Sequence, residues 1–358
     1  MKNTKKKQSC SCGSGCCDAP LPERDYTEGS INTTAGLVPV AKAETGIKEM
    51  LGSFMVRWGM NRDRYSVDSG LYAFGKPKKD SPVLVTANYK KTFDELRNNI
   101  IGLNVWILVL DTKGINVWCA AGKGTFGSDE LAKRVKASGL AKIVSHRTLV
   151  LPQLGAAGTS AQRAKKITGF SVIYGPVRAE DIKEFLKNGM KASEEMRTVR
   201  FTLADRLVLI AVELTLGWKF FLGTFIFALI FDILGGRGLG VILSSWLPYI
   251  LSIISGAVLV PLLLPYIPGA SFAWKGWLMG LITATLYVIS VPLGIFNMVS
   301  LLFILPPISS YLALNFTGAT TFTSLSGVMK ETTYGVPVMI GLTVLGIVFK
   351  VIGLVTNG

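Results

Sequence analysis

Hydrophobic and polar positions divide the 358-residue chain into two regimes. Up to about residue 204 the apolar runs are short and are broken by polar, Gly and Pro residues. Pro82-Val83-Leu84-Val85-Thr86-Ala87 reads as a buried strand, and 91–101 reads as a helix. A second apolar run follows at 103–111. Strand-like runs lie at 142–145, 148–151 and 170–174, with helical patterns at 128–137, 160–167 and 179–188 between or after them. The helix at 128 is opened by Ser128 with acids in its first turn. Strands alternating with helices predict an α/β domain over 51–204 with a mainly parallel sheet. Sheets of this kind bind ligands beyond the carboxyl ends of their strands.

From residue 205 to 358 the pattern changes. Five stretches are long and apolar enough to cross a ~30 Å hydrocarbon layer: 207–234, 241–264, 274–293, 296–316 and 334–356. Turn-rich breaks separate them, at Gly235-Gly236-Arg237-Gly238 and Pro265-Tyr266-Ile267-Pro268-Gly269. Trp246, Trp274, Trp277, Tyr266 and Tyr334 fall near the predicted span ends, where interfacial aromatics belong. An all-α domain of five spans is therefore expected. Glu213 and Lys219 are the charges inside the first span; on one continuous helix they sit about 240° apart and do not face each other. Without regularly spaced acids and histidines, the spans read as an anchor.

Charge sharpens the division. Of 38 Lys and Arg, 33 lie in the first 206 residues, with 20 of the 23 Asp and Glu, so that half carries +13 of the net +15. Mean hydropathy is +0.43, which excludes a single soluble domain and a disordered chain. Arg197, Arg200 and Arg206 beside the first span put the basic half in the cytoplasm of a multi-pass protein of the cytoplasmic membrane. The expected contact surface is membrane lipid, with no nucleic acid. Residues 1–50 read as a flexible Cys/Lys-rich tail without the apolar run of a secretory signal. Its Cys10, Cys12, Cys16 and Cys17 follow no standard zinc or cluster spacing. In a reducing compartment they are implausible as disulfides, while soft thiolates suit capture of an ion such as Hg(II).

Three loops carry candidate chemistry: Val85 to Tyr89, with Thr86 and Asn88; Asn116 to Gly127; and Leu151 to Gly158. Gly122-Lys123-Gly124-Thr125-Phe126-Gly127 satisfies G-x-G-x-x-G, but the acid a dinucleotide site needs about 20 residues later is missing, and a Walker A loop fails at Val117 and Gly124. Cys119 lies outside the tail. Its bland reading is a small buried hydrophobe; the sharper one is a metal-bonding thiolate beside Lys123 and a predicted helix start. No His or second Cys is near in sequence, so the metal would bring its own equatorial ligands, as a corrin or haem does. The c-type haem signature is absent. His146, in Val-Ser-His-Arg, reads as structural or solvent-facing.

Asn116-Val117-Trp118-Cys119-Ala120-Ala121-Gly122-Lys123 resembles the cap-helix signature of the membrane-anchored corrinoid protein of mercury methylation. The surrounding 108–129 also resembles the large subunit of the corrinoid iron–sulfur protein, which as a rule lacks both the cysteine and the membrane half. The resemblance runs from about Trp58 to the C-terminus. It implies a Rossmann-like corrinoid-binding domain with Cys119 as lower axial ligand to cobalt, and transfer of a cobalt-bound methyl group to Hg(II). It also implies a ferredoxin-like partner with two four-iron clusters as electron donor and a methyltetrahydrofolate-linked methyl donor. By loop position, Thr86, Asn88, Asn116, Val117, Trp118, Ala120, Ala121, Gly122, Lys123 and Thr125 would surround the corrin. Leu151, Pro152, Gln153, Gly155 and Gly158 would line the opposite wall or the nucleotide tail. A tethered one-carbon carrier with another methyl acceptor remains the alternative.

Overall fold

The computed structural model describes residues 24–58, 65–316 and 325–356. Among them, residues 24–53 with 65–199 form one compact unit, and 54–58 with those from 200 onward form another. Cys10, Cys12, Cys16 and Cys17 lie outside the described residues.

The first unit is a seven-stranded mixed sheet in the order β1-β2-β3-β5-β4-β6-β7. Its strands are β1 (Thr27–Thr33), β2 (Gly36–Ala41), β3 (Gly70–Phe74), β4 (Val83–Ala87), β5 (Val105–Leu110), β6 (Thr148–Leu151) and β7 (Ser171–Tyr174). All residues of β4 and β5 are buried, so their unbroken apolar runs mark the centre of a sheet covered on both faces. They pair in parallel from Val83 with Trp106 to Ala87 with Leu110. β6 runs parallel to β4 and β7 parallel to β6, while β3 is antiparallel to β5.

The helices of this unit are the first part of α1 (Ile47–Arg57), whose residues from Phe54 count with the second unit, and α2 (Lys90–Asn99), α3 (Val117–Gly122), α4 (Ser128–Ala137), α5 (Leu140–Ile143), α6 (Ala161–Thr168), α7 (Ile182–Lys187) and α8 (Glu194–Arg197). Alternation along the strands feeds two cores. Val83, Val85, Leu108 and Leu110 pack with Leu131 and Val135 of α4 and Ala164 of α6. Leu84, Ile107 and Val109 pack with Phe93 and Leu96 of α2. The connection leaving β4 thus covers one face and those leaving β5 and β6 the other. That makes the gap between the ends of β4 and β6 a topological switch point.

Two expectations need correction. Residues 27–41, assigned to the tail, form the β1-β2 hairpin, turned at Thr34-Ala35 and closed by Thr33 Oγ1 donating to the Gly36 carbonyl (2.7 Å). The strand expected at 142–145 is absent: Gly139, at φ +60°, turns the chain into α5, and Lys142 and Ile143 belong to that helical turn.

The second unit is helical: α9 (Leu203–Leu216), α10 (Trp218–Leu234), α11 (Ile242–Ile254), α12 (Val260–Leu263), α13 (Phe272–Ser290), α14 (Ile295–Asn315) and α15 (Leu325–Thr356). Among the described residues, four helices are long and apolar enough to cross a membrane, or five if the pair α9 and α10, bent by 49°, counts as one span. The expected first span is therefore not one straight helix. The bend falls at Gly217, so the angular argument separating Glu213 from Lys219 does not apply. Glu213 instead lines a cavity of about 260 Å³ with Gly217, Phe220, Leu312 and Asn315.

α11 continues through a wide helical turn (Ser255–Leu259) into α12. Arg206 donates to the carbonyls of Pro261 (3.2 Å) and Leu262 (2.6 Å), and Lys275 to that of Leu264 (2.7 Å). Two cations thus satisfy the exposed carbonyl end of that helix, where its dipole favours positive charge. Helices α13 and α14 meet through Gly276 and Gly280. A methyl on Gly276 would lie 2.6 Å from the Ser310 Cα, and one on Gly280 2.7 Å from the Pro306 Cα. Small residues four apart allow such close approach of two helices.

Candidate functional site

The loops after β4, β5 and β6 emerge at the same edge of the parallel strands. Their geometry begins with Asn88, buried just past β4. Its Oδ1 accepts from the Thr112 N–H (3.0 Å), the Thr112 hydroxyl (2.8 Å) and the Gly114 N–H (2.9 Å), and its Nδ2 donates to Asp111 Oδ1 (3.3 Å). The Asn88 side chain therefore holds the turn that follows β5. The left-handed conformations at Lys113 (φ 58°) and Gly114 (φ 71°) complete that turn. Thr86 is buried inside β4, opposite Val109.

The turn delivers Asn116 in an extended conformation (φ −64°, ψ 161°), from which its Oδ1 accepts the Cys119 N–H at 2.9 Å. This is an N-cap, a bond worth about 1 kcal/mol to the helix it starts. In α3, Val117, Ala120 and Ala121 form the buried face. Trp118 (38% exposed), half-buried Cys119 and Gly122 occupy the other. Cys119 is a free thiol. Lys123 ends the helix with its side chain exposed, and Thr125 donates to the Ala120 carbonyl (3.3 Å). A Cβ added at Gly122 or at Gly124 (φ +77°) would meet nothing within 4 Å, so open backbone adjoins the thiol's side of α3.

The third loop supports α3 from behind and does not face it across a cleft. A methyl on Gly158 would collide with the Phe126 carbonyl oxygen and lie 2.8 Å from the Ala121 Cα; one on Gly155 would lie 2.6 Å from the Phe126 ring. Buried Thr159 donates to the Phe126 carbonyl (3.1 Å), and Tyr174 donates to the Thr159 carbonyl. Burial raises the Tyr174 phenol above its ordinary value and keeps it a donor. Leu151 is buried at the end of β6, and Pro152 starts the turn Gln153–Gly155, in which the Gln153 side chain accepts from Arg197 at 3.5 Å. Thr112, Thr159 and Phe126 complete this scaffold and were not singled out by the sequence pattern.

Among the described residues, the site offers one soft donor. Among the described residues no three His, Cys, Asp or Glu converge to hold a metal ion. His146 lies at the start of β6, away from these loops, held by the Ser81 carbonyl (2.9 Å) and by the Thr148 N–H at Nδ1 (3.2 Å). The glycine string leads into α4, whose first turn carries Asp129 and Glu130. Two carboxylates there disfavour a phosphate. Gly127 instead closes a turn, since a Cβ there would lie 2.8 Å from the Gly124 carbonyl oxygen.

Residues 47–186 match the family described as CO dehydrogenase/acetyl-CoA synthase delta subunit. Three similar proteins are acetyl-CoA decarbonylase/synthase complex gamma subunits. That of Methanocaldococcus jannaschii is 34% identical over 129 residues, which are 36% of this chain and 26% of the relative. That of Methanopyrus kandleri is 31% identical over 137 residues, 37% of this chain and 29% of the relative. For Archaeoglobus fulgidus the values are 30% over 135 residues, 37% and 28%. The chain thus spans between a quarter and a third of each relative's length, and the family match lies largely within the α/β unit.

Proposed function

We propose that this chain is a membrane-anchored corrinoid methyltransferase that passes a methyl group to Hg(II), giving methylmercury. The observation that carries the reading is Cys119: a free thiol on a helix capped by Asn116, beside open glycine backbone, with no second ligand among the described residues. That donor set would fit a metal that arrives with ligands of its own and takes one bond from protein. A bound corrinoid would supply the cobalt–methyl bond. Cys119 would hold the cobalt through its sulfur, a strong donor suited to a soft metal centre.

Gly122 and Gly124 would let the flat ring approach the backbone, and Trp118 would cover part of it. Asn88, Thr112, Gly155 and Gly158 act one step back, fixing the turn and the floor on which α3 stands. The helical unit would anchor the chain in the cytoplasmic membrane with the α/β unit in the cytoplasm. The N-terminal Cys10, Cys12, Cys16 and Cys17 would offer soft ligands to incoming Hg(II). A ferredoxin-like donor with two four-iron clusters and a methyltetrahydrofolate-linked methyl donor complete the proposed cycle. Iron–sulfur clusters span potentials down to about −700 mV, so such a donor would supply low-potential electrons.

The gamma-subunit similarity favours a second reading, a tethered one-carbon carrier with another acceptor. An oxygen-free single-turnover assay separates the two. Protein loaded with methylated corrinoid is mixed with Hg(II), and wild type is compared with Cys119→Ala. Methylmercury from wild type only, with corrinoid retained by both, is expected. Equal product from both overturns the role of Cys119, and bound corrinoid without product from either moves the function to the carrier.

A further inference from the structure

Helix α1 is held to the α/β unit by its polar side. Glu49, buried, accepts from Arg97 (2.5 Å) and Lys90 (2.9 Å), and its second oxygen accepts the Gly46 N–H (2.8 Å). Arg97 is fully buried and also bonds Asp94 (3.0 Å) and the Lys42 carbonyl (3.0 Å). Tyr65 donates to the Glu49 carbonyl (3.2 Å) and packs over Gly52. Clamped in this way, the helix turns Ile47, Met50, Leu51 and Phe54 outward, with Trp58 just beyond its end. Ile47 is 85% exposed and Phe54 57%. The spacing i, i+3, i+4, i+7, i+11 places all five within an arc of about 100°. Lys48 and Arg57 are exposed on the two flanks of the stripe, and the helix's one acid is Glu49, buried below.

We infer that this face of α1 lies in the headgroup layer of an anionic phospholipid bilayer. An apolar stripe bordered by cations on both sides, with an aromatic at its end and no exposed acid, matches that layer in polarity and in charge. The orientation is the reverse of an ordinary surface helix, whose apolar side faces its own core. Here a buried ion cluster occupies the inner side, so the outward stripe is a built surface. The inference rests on the membrane reading of the helical unit and adds a second attachment, made by α1.

The test uses the full chain, with its five cysteines changed to Ser, reconstituted in phosphatidylglycerol-containing nanodiscs. An environment-sensitive dye is placed in turn at Leu51→Cys, Phe54→Cys, Glu95→Cys and Val344→Cys. Glu95 is an exposed position on α2, and Val344 an exposed one on α15. Nitroxide on the lipid chains should quench the dye at 51 and 54 at least about twofold more than at 95. Phosphatidylcholine discs, or Lys48→Glu with Arg57→Glu, should weaken the docked state by about fivefold per charge. Quenching at 344 with none at 51 or 54 overturns the proposal alone. If those two dyes are shielded but not quenched by lipid, a protein surface covers the stripe and the proposal fails. Silence at 344 as well overturns the membrane reading and the proposal together.

Discussion

Replacing Gly122 and Gly158 by alanine, one at a time, should separate the support of α3 from its binding face. At Gly158 the added methyl collides with the Phe126 carbonyl oxygen and lies 2.8 and 2.9 Å from the Ala121 Cα and carbonyl oxygen. All of these are backbone atoms, which no side-chain rotation can move aside. Overpacking of this kind costs about 2–3 kcal/mol, and relief requires α3 to lift from its floor. At Gly122 the methyl meets nothing within 4 Å. The same substitution there should leave the unloaded protein unchanged or stabilise it by up to about 0.5 kcal/mol through helix propensity. Hydrogen exchange of the Lys123 and Phe126 amides, which bond the Cys119 and Ala120 carbonyls, reads the lift directly. Corrinoid titration reads the face: Gly122→Ala should weaken binding about tenfold if the ring lies against that backbone, since a methyl inserted into a close contact costs of the order of 1–3 kcal/mol. Unchanged corrinoid affinity in Gly122→Ala would refute the assignment of the outer face, and unaltered exchange in Gly158→Ala would refute the packing argument.

Asn116→Ala should cost about 1 kcal/mol in local helix stability and reduce the fraction of corrinoid carrying a sulfur axial bond, read from its visible spectrum, with Asn116→Asp restoring most of both. Glu49→Gln should destabilise the α/β unit by about 3 kcal/mol in urea unfolding, because Arg97 stays buried with half of its carboxylate partners. Burial alone would raise the Glu49 carboxyl, but Lys90, the Gly46 N–H and Arg97 hold it below its ordinary value of 4.5. Its contribution is therefore complete above that value and is lost as the pH falls through the lower, folded-state one. Wild type should lose its margin over Glu49→Gln only in that acid window, and a constant margin down to pH 2 would refute the ion-pair account.

What could be read from the chain in advance follows from how local each signal is. β4 and β5 were legible because a strand buried on both faces is an unbroken apolar run, and no other short element writes that pattern as plainly. The β1-β2 hairpin was not, because Thr27 to Ala41 mixes Thr, Ser, Glu, Gly and Pro, and becomes strand only through pairing. Residues 142–145 have the composition of a strand, yet Gly139 three residues earlier redirects the backbone. The apolar half was legible as helical, but the bend at Gly217 was not, since a single glycine in an apolar run is compatible with either a straight or a broken helix.

The site divides along the same line. Cys119 and its neighbours form one contiguous string, so residue type and spacing expose them together. Their support comes from residues 20 to 40 positions away: Asn88 reaching Thr112 and Gly114, Gly158 against Ala121, Thr159 against Phe126. No periodicity encodes such pairs. It also follows that a polar residue at the right loop is not thereby a ligand. The Asn88 oxygen already accepts three hydrogen bonds from the chain itself, and it acts on Cys119 by setting where α3 begins. A thiol that is to meet a metal at bond length needs its helix fixed to a fraction of an ångström, and a cap, a buried amide and a backbone-to-backbone glycine contact together hold α3 in place. The exposed part of the site can then stay small: one sulfur, one indole and two glycines.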